Sequence, residues 1–330
     1  MAIPTGAIRY NTDSNKMECF NGTKWFQISV SESAPIGARG ISAGGAAPGA
    51  SPYARVNTIQ YITIATEGNA VDFGDLTRTT SGAYTSASTT RGIIAGGSSP
   101  TTNVVEHITI ATQGNAVDAG DLTTVTQNGA GFSNQVRAIQ AGGSTPSQIN
   151  TIDYLTISIS SNAIDFGDLI DHTVDYFNGG ANQTRGYVAG GNTPSKIDNI
   201  QYVTIMTTGN SVDFGNLTVA RRMAETINTN TRGVIIGGET PSDTNVIDFI
   251  EIATTGNAQD FGDVQSFRRE MNAAMASPTR GVYGGGYASP TGLNSMEYIN
   301  PVSKGNGTNF GDLTSTIYAN RGLSNAHGGL

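Results

Sequence analysis

Cysteine, lysine, histidine and long apolar runs are all scarce in this chain of 330 residues. Each shortage removes a class of function. Cys19 is the only cysteine, so no disulfide can form within the chain. The three histidines, His107, His172 and His327, lie far apart and share no ligand spacing, which argues against a Cys/His zinc site. No metal and no cofactor is expected. Only four residues are lysines, charged residues make up 13%, and the net charge is −8. An acidic, lysine-poor surface repels phosphate backbones, so nucleic-acid binding is not expected. No apolar run reaches the roughly 18 residues of a membrane span, so no membrane insertion is expected. The opening residues Met1–Thr5 lack the basic then apolar regions of a secretory signal.

Glycine is abundant, with 43 residues, and Ser, Thr and Asn crowd the gaps between apolar runs. That composition suits many short strands joined by tight turns. Arg91-Gly92-Ile93-Ile94-Ala95-Gly96-Gly97 has relatives beginning at Arg39, Arg137, Arg185, Arg232, Arg280 and Arg321. Successive steps are 52, 46, 48, 47, 48 and 41 residues. A period of this size means one supersecondary unit used repeatedly.

Each unit has four parts: a polar stretch, the Arg-Gly strand, an apolar strand such as Ile59–Ile64, and Val71-Asp72-Phe73-Gly74-Asp75 after a Gly68-Asn69 turn. The runs are β-branched or aromatic and bounded by Gly, Pro and Asn, so they read as strands. Helical spacing is not sustained. The third strand is apolar on both faces, as expected where sheets stack against neighbours on two sides. Four strands in about 47 residues match one propeller blade.

Six third strands follow in order, at Ile59, Val105, Ile152, Ile200, Ile247 and Met296. A seventh candidate, Met17-Glu18-Cys19-Phe20, lies near the start, with Trp25 in the place of Phe73, Phe166, Phe214, Phe261 and Phe310. The expectation is an all-β, seven-bladed β-propeller forming a single domain of 1–330. Residues of about 314–330 supply two strands of its last blade and residues of about 16–30 the other two. The alternative is six blades with residues 1–30 as a separate N-terminal hairpin.

The Gly-Gly closing the second strand, the aromatic of the third and the large aromatic of the fourth resemble kelch-type propeller repeats. The segment Arg9-Tyr10-Asn11-Thr12, followed by Gly22-Thr23-Lys24-Trp25, resembles hairpins of tailed-phage virion proteins, including tail-fibre proteins of marine phages. This second resemblance implies a virion component made in the host cytoplasm, with other virion proteins as partners. Residues 1–30 then either complete the last blade or attach to the virion.

The recurrent Asp72-Phe73-Gly74-Asp75, Asp165–Asp168 and Asp260–Asp263 suggest paired carboxylates. A motif copied into every repeat reads instead as a structural device, since an active site is usually single. The arginines Arg39, Arg91, Arg137, Arg185, Arg232, Arg280 and Arg321 read as structural for the same reason. Each is expected to bond a carboxylate or carbonyl within or between blades; an arginine ring on the axis would instead hold an anion. The Gly-Gly pairs are expected to serve close packing near the centre. His107 and Cys19 fall at the third-strand aromatic position and are expected to be packed. The irregular loops carry the candidate binding residues Tyr53, Arg55, Tyr287, Tyr84 and Tyr176, since loops on rigid scaffolds commonly recognise partners.

The function expected is a non-enzymatic structural and binding protein on the tail or head exterior of a virion. Contact with a host glycan or surface protein is a further expectation. The alternatives are a propeller enzyme acting on surface glycans and a cellular lectin or scaffold.

Overall fold

The computed structural model describes residues 3–11, 16–27, 38–47, 54–98, 100–170, 178–265, 269, 273–288 and 291–330. Every regular element among them is a β-strand. The chain divides into two compact units, Met1–Gly37 and Ala38–Leu330.

In the first unit, Ile8–Asn11, Lys16–Phe20 and Trp25–Gln27 form a three-stranded antiparallel sheet. Pairing of Arg9 with Glu18 puts both on one face, where Arg9 also lies 4.2 Å from the Trp25 ring centre. Asn11 and Arg9 both donate to Glu18, and these bonds hold its carboxyl below the usual range. Ile8, Tyr10 and Phe26 remain exposed. Cys19 is only half-buried, which corrects the expectation that it is packed.

The second unit holds six four-stranded antiparallel sheets, an arrangement compatible with a β-propeller. Numbered by their second strands, they are built on Arg39–Ala43, Arg91–Ala95, Arg137–Ala141, Arg185–Ala189, Arg232–Ile236 and Gly281–Gly284. The innermost strands are, in order, Arg321–Ser324, Tyr84–Ala87, Ala130–Ser133, Asn178–Ala181, Glu225–Asn228 and Ala273–Ala276. Each innermost strand touches the next, and the last touches the first. Six apolar clusters fill the spaces between consecutive sheets. Ile41, Ile59 and Phe73 of the first sheet meet Ile94 and Ile108 of the second, while Met275 and Phe310 of the sixth meet Ile62 and Ile64 of the first. Burial on both faces of the third strands follows from this stacking.

Among the described residues, the sheet expected from both chain ends is not formed. Arg321–Ser324 pairs with Arg39–Ala43 as the innermost strand of the first sheet. The strands of residues 8–27 pair only with one another among the described residues. The physical reason is spacing. The last step, Arg280 to Arg321, is 41 residues, which is also the distance from Arg232 to Ala273, a second strand to the following first strand. Arg321 therefore begins an inner strand that only resembles the Arg-Gly strands.

The recurrent motifs join sheet to sheet. The outer strand Val71–Asp75 offers its backbone to the next sheet's Gly-Asn turn. Gly114 N donates to Phe73 O at 2.9 Å, Ala116 N to Asp75 O at 2.8 Å, and Asp75 N to Asn115 Oδ1 at 3.0 Å. The same staple joins the sixth sheet to the first through Gly68 N and Phe310 O at 3.0 Å. Gly74 has φ +148°, and a Cβ there would come within 2.6 Å of the Gly114 backbone, so the motif needs glycine at the crossing. The carboxylates of Asp72 and Asp75 face solvent. No group of three or more His, Cys, Asp or Glu residues is placed to hold a metal among the described residues.

A second belt runs deeper. The acid or amide of each third strand caps a backbone N–H of the preceding sheet's exit. Glu106 accepts from Thr77, Asp153 from Thr123, Gln201 from Ile170, Asp248 from Thr218, Glu297 from Gln265 and Gln60 from Thr314. Buried acceptors stay tolerable only when paired in this way.

Candidate functional site: the hairpin face and the axis

Six of the recurrent arginines do the same thing. From the start of a second strand, each reaches the next sheet's carbonyls. Arg39 donates to Ile110 O and Ala111 O, Arg91 to Ile157 O, Arg137 to Ile205 O, Arg185 to Ile252 O, Arg232 to Val302 O and Arg280 to Ala65 O, at 2.7–3.1 Å. In five sheets the guanidinium also stacks on the third-strand aromatic, which in turn meets the fourth-strand Phe edge-on. Arg185, Tyr202 and Phe214 are one such column, with 4.2 Å from cation to ring centre and 6.0 Å between ring centres. The second sheet lacks the column, having His107 and Ala119 in the two places. His107 is half-buried rather than packed. Its pKa is pushed down by burial and by Arg91. These arginines line no axis, so the ring of arginines considered for an anion does not exist.

The Gly-Gly pairs end the second strands with φ values that other residues avoid, such as +58° at Gly96 and +107° at Gly97. Their place is the turn into the hairpins rather than the centre. Close approach at the centre falls to Gly131, Gly179 and Gly322 of the inner strands, where an added Cβ would overlap the neighbouring strand.

The loops after the second strands share one face. Arg55 is half-buried and donates to Ser81 Oγ at 3.3 Å. Tyr287 is half-buried, packs against Tyr318 with ring centres 6.0 Å apart, and lies under Arg269 at 5.2 Å. Beside them, Glu239 accepts from Arg222 at 2.9 Å and from Lys196 at 3.1 Å. Burial pushes the Glu239 carboxyl up, but those two hydrogen bonds outweigh it and hold it below the usual range. Arg269 adds contacts to Glu239 and Asp243. Tyr53 and Tyr176 lie outside the described residues.

Tyr84 corrects the expectation of a binding loop. It is 1% exposed and sits at the head of an inner strand, donating from its hydroxyl to Gly142 O at 2.6 Å. Burial pushes its phenol far up, so it stays neutral.

A site that the sequence reading missed lies on the axis. The register places Arg321, Tyr84, Ala130, Asn178, Glu225 and Ala273 at equivalent positions of the six inner strands. Four of the six carry polar groups, and none of the types repeats. Arg321 Nη1 stands 3.9 Å from Glu225 Oε1, and its Nη2 donates to Gly129 O at 3.3 Å. Burial raises the Glu225 carboxyl to about 8 against the opposing pull of Arg321. Both residues line a cavity of about 60 Å³.

The segment Asn325–Leu330 crosses the cavity at the end away from the hairpins. His327 Nε2 donates to Ala87 O at 3.0 Å and its Nδ1 accepts from Gly329 N at 3.1 Å, which assigns the neutral tautomer. Gly328 N donates to Asn228 O and Gln183 Nε2 to Leu330 O. The second, fourth and fifth sheets are thus tied to one short segment. Burial pulls the His327 imidazole down to about 4.

The signal that could have exposed this site was non-repetition: inner-strand residues change from copy to copy while the rim residues do not. No protein-family model matches the chain, and no curated protein matches it.

Proposed function

We propose that the chain is a non-enzymatic binding and structural module of a bacteriophage particle: a six-bladed, kelch-like β-propeller carrying an N-terminal attachment sheet. The observation that carries this reading is the apolar strip on that sheet. Ile8, Tyr10 and Phe26 are 60%, 56% and 46% exposed. Three short strands with an exposed apolar strip gain stability by docking on another surface. The occupant proposed is another virion protein. Resemblance of residues 9–25 to hairpins of phage virion proteins supports the same partner. The hairpin face, with Tyr287, Arg55 and the Arg269–Glu239–Lys196 network, is the surface proposed for host glycan or protein contact. Its side chains are fixed by one another, which lowers the ordering cost of recognition.

The test is mass spectrometry of purified particles from cells expressing either the native chain or the triple variant Ile8→Ser, Tyr10→Ser, Phe26→Ser. Incorporation of the native chain and loss of the folded variant support the reading. Absence of the native chain from particles, or turnover of a surface polysaccharide by the purified protein, overturns it.

A further inference from the structure

We propose that the axial cavity is a binding site for one small monoanion, of the size of formate, acetate or nitrate, held by the guanidinium of Arg321 with Ser86 and Glu225 beside it. Three polar atoms of these residues are buried without a hydrogen-bond partner: Arg321 Nε, Ser86 Oγ and Glu225 Oε1. Arg321 is 7%, Ser86 4% and Glu225 3% exposed, and all three line the same cavity. Orphaned buried polar atoms are rare in native proteins and call for a partner. A cavity of about 60 Å³ accommodates about four waters, or one molecule of a few heavy atoms.

Charge decides between the two. A buried guanidinium keeps its proton. The one carboxylate near it stands too far for a hydrogen bond, and burial favours its neutral form at pH 7. The cavity therefore holds an unbalanced positive charge, and a planar oxyanion matches the guanidinium fork. A protonated Glu225 donates to such a guest; an ionised Glu225 competes with it for Arg321. The other titratable groups on the lining or beside it are Tyr84, neutral, and His327, neutral in its assigned tautomer. The third, fourth and sixth sheets contribute no titratable side chain to the lining.

The probe is ¹³C-formate titrated into the full chain and followed by NMR at pH 6 and pH 9. Saturable binding is expected at pH 6, weaker by about tenfold at pH 9 because Glu225 ionises between them. Glu225→Gln keeps binding at both pH values, and Arg321→Met abolishes it. If Arg321→Met does not fold, the Glu225→Gln profile and a bromide soak of crystals of the native chain decide. A bromide peak beside Arg321 supports the site. Water alone in the cavity, absence of formate binding, or a pH profile that Glu225→Gln leaves unchanged overturns it.

Discussion

In the wall between the fourth and fifth sheets, Arg221 donates to Asp248 at 2.9 Å, and Thr218 donates to the same carboxylate through its backbone and hydroxyl. On the axis, Arg321 and Glu225 come no closer than 3.9 Å and share no hydrogen bond. Both arginines are buried. The first carboxylate is occupied by its neighbours. The second pair faces open volume and leaves atoms of both partners unoccupied. One pair closes a seam between sheets, and the other is available to a guest.

The widest gap between the two pairs should appear on neutralising each carboxylate. Asp248→Asn leaves the Arg221 charge uncompensated in a site with no solvent access, and should cost about 3–5 kcal/mol in urea unfolding. Glu225→Gln at pH 6 replaces a carboxyl that already holds its proton, and should cost under about 1 kcal/mol. Equal losses would show that Glu225 is an ordinary ion-pair partner.

The two axial titrating groups should tilt stability in opposite directions. His327 has a folded pKa of about 4, below its usual 6.5, so the neutral form is favoured by folding. Its contribution is complete above pH 6.5 and is lost as pH falls through 4, a change of about 3 kcal/mol. Glu225 has a folded pKa of about 8, above its usual 4.5. Its contribution is complete below pH 4.5 and is lost as pH rises through 8. Urea midpoints across this range should fall at both ends. His327→Gln should flatten the acid side and Glu225→Gln the alkaline side.

The rim provides a smaller contrast. Arg185→Gln removes a 2.9 Å bond to Ile252 O and a stack on Tyr202, and should cost about 2–3 kcal/mol. Arg91→Gln removes only the bond to Ile157 O, since His107 stands where the aromatic would be, and should cost about 0.5–1 kcal/mol less. Matching losses in thermal or urea unfolding would show that the aromatic column adds nothing.

These cases show why the rim was legible and the axis was not. Arg39 through Arg280, Phe73 and its relatives, and the Gly-Asn turns recur because every sheet meets its neighbour in the same way. Arg321 carried the same local signature, Arg-Gly before an apolar residue, yet its strand lies one place further in. Only the 41-residue step distinguishes it. Glu225 and Arg321 are 96 residues apart and meet across a sheet whose inner strand begins with small residues, Ala273 and Ala274, a relation no local pattern encodes. Tyr84 sits in a Ser-, Thr- and Gly-rich stretch that reads as a loop, but crowding at the centre forces such small residues onto inner strands.

The smallest contrast concerns how chains enter the inner strands. Gly82, Asn128, Met223 and Ala319 hold equivalent places two residues before them, with φ of +62°, +61°, +59° and +52°. Glycine and asparagine take this left-handed conformation readily; alanine meets its own carbonyl there at a cost of about 1–2 kcal/mol. Gly82 N donates to Ala319 O at 3.0 Å, so the first and second sheets' entries are bonded and both must keep the conformation. Ala319→Gly relieves that strain but enlarges the freedom of the unfolded chain by about 0.5–1 kcal/mol. The net expectation is a gain of about 0.5 kcal/mol, read as a higher urea midpoint with an unchanged slope. Gly82→Ala imposes the same strain and drives a methyl into Asn128, so it should lose more than Ala319→Gly gains. A loss on Ala319→Gly would mean that the alanine methyl contributes packing worth more than the strain it bears.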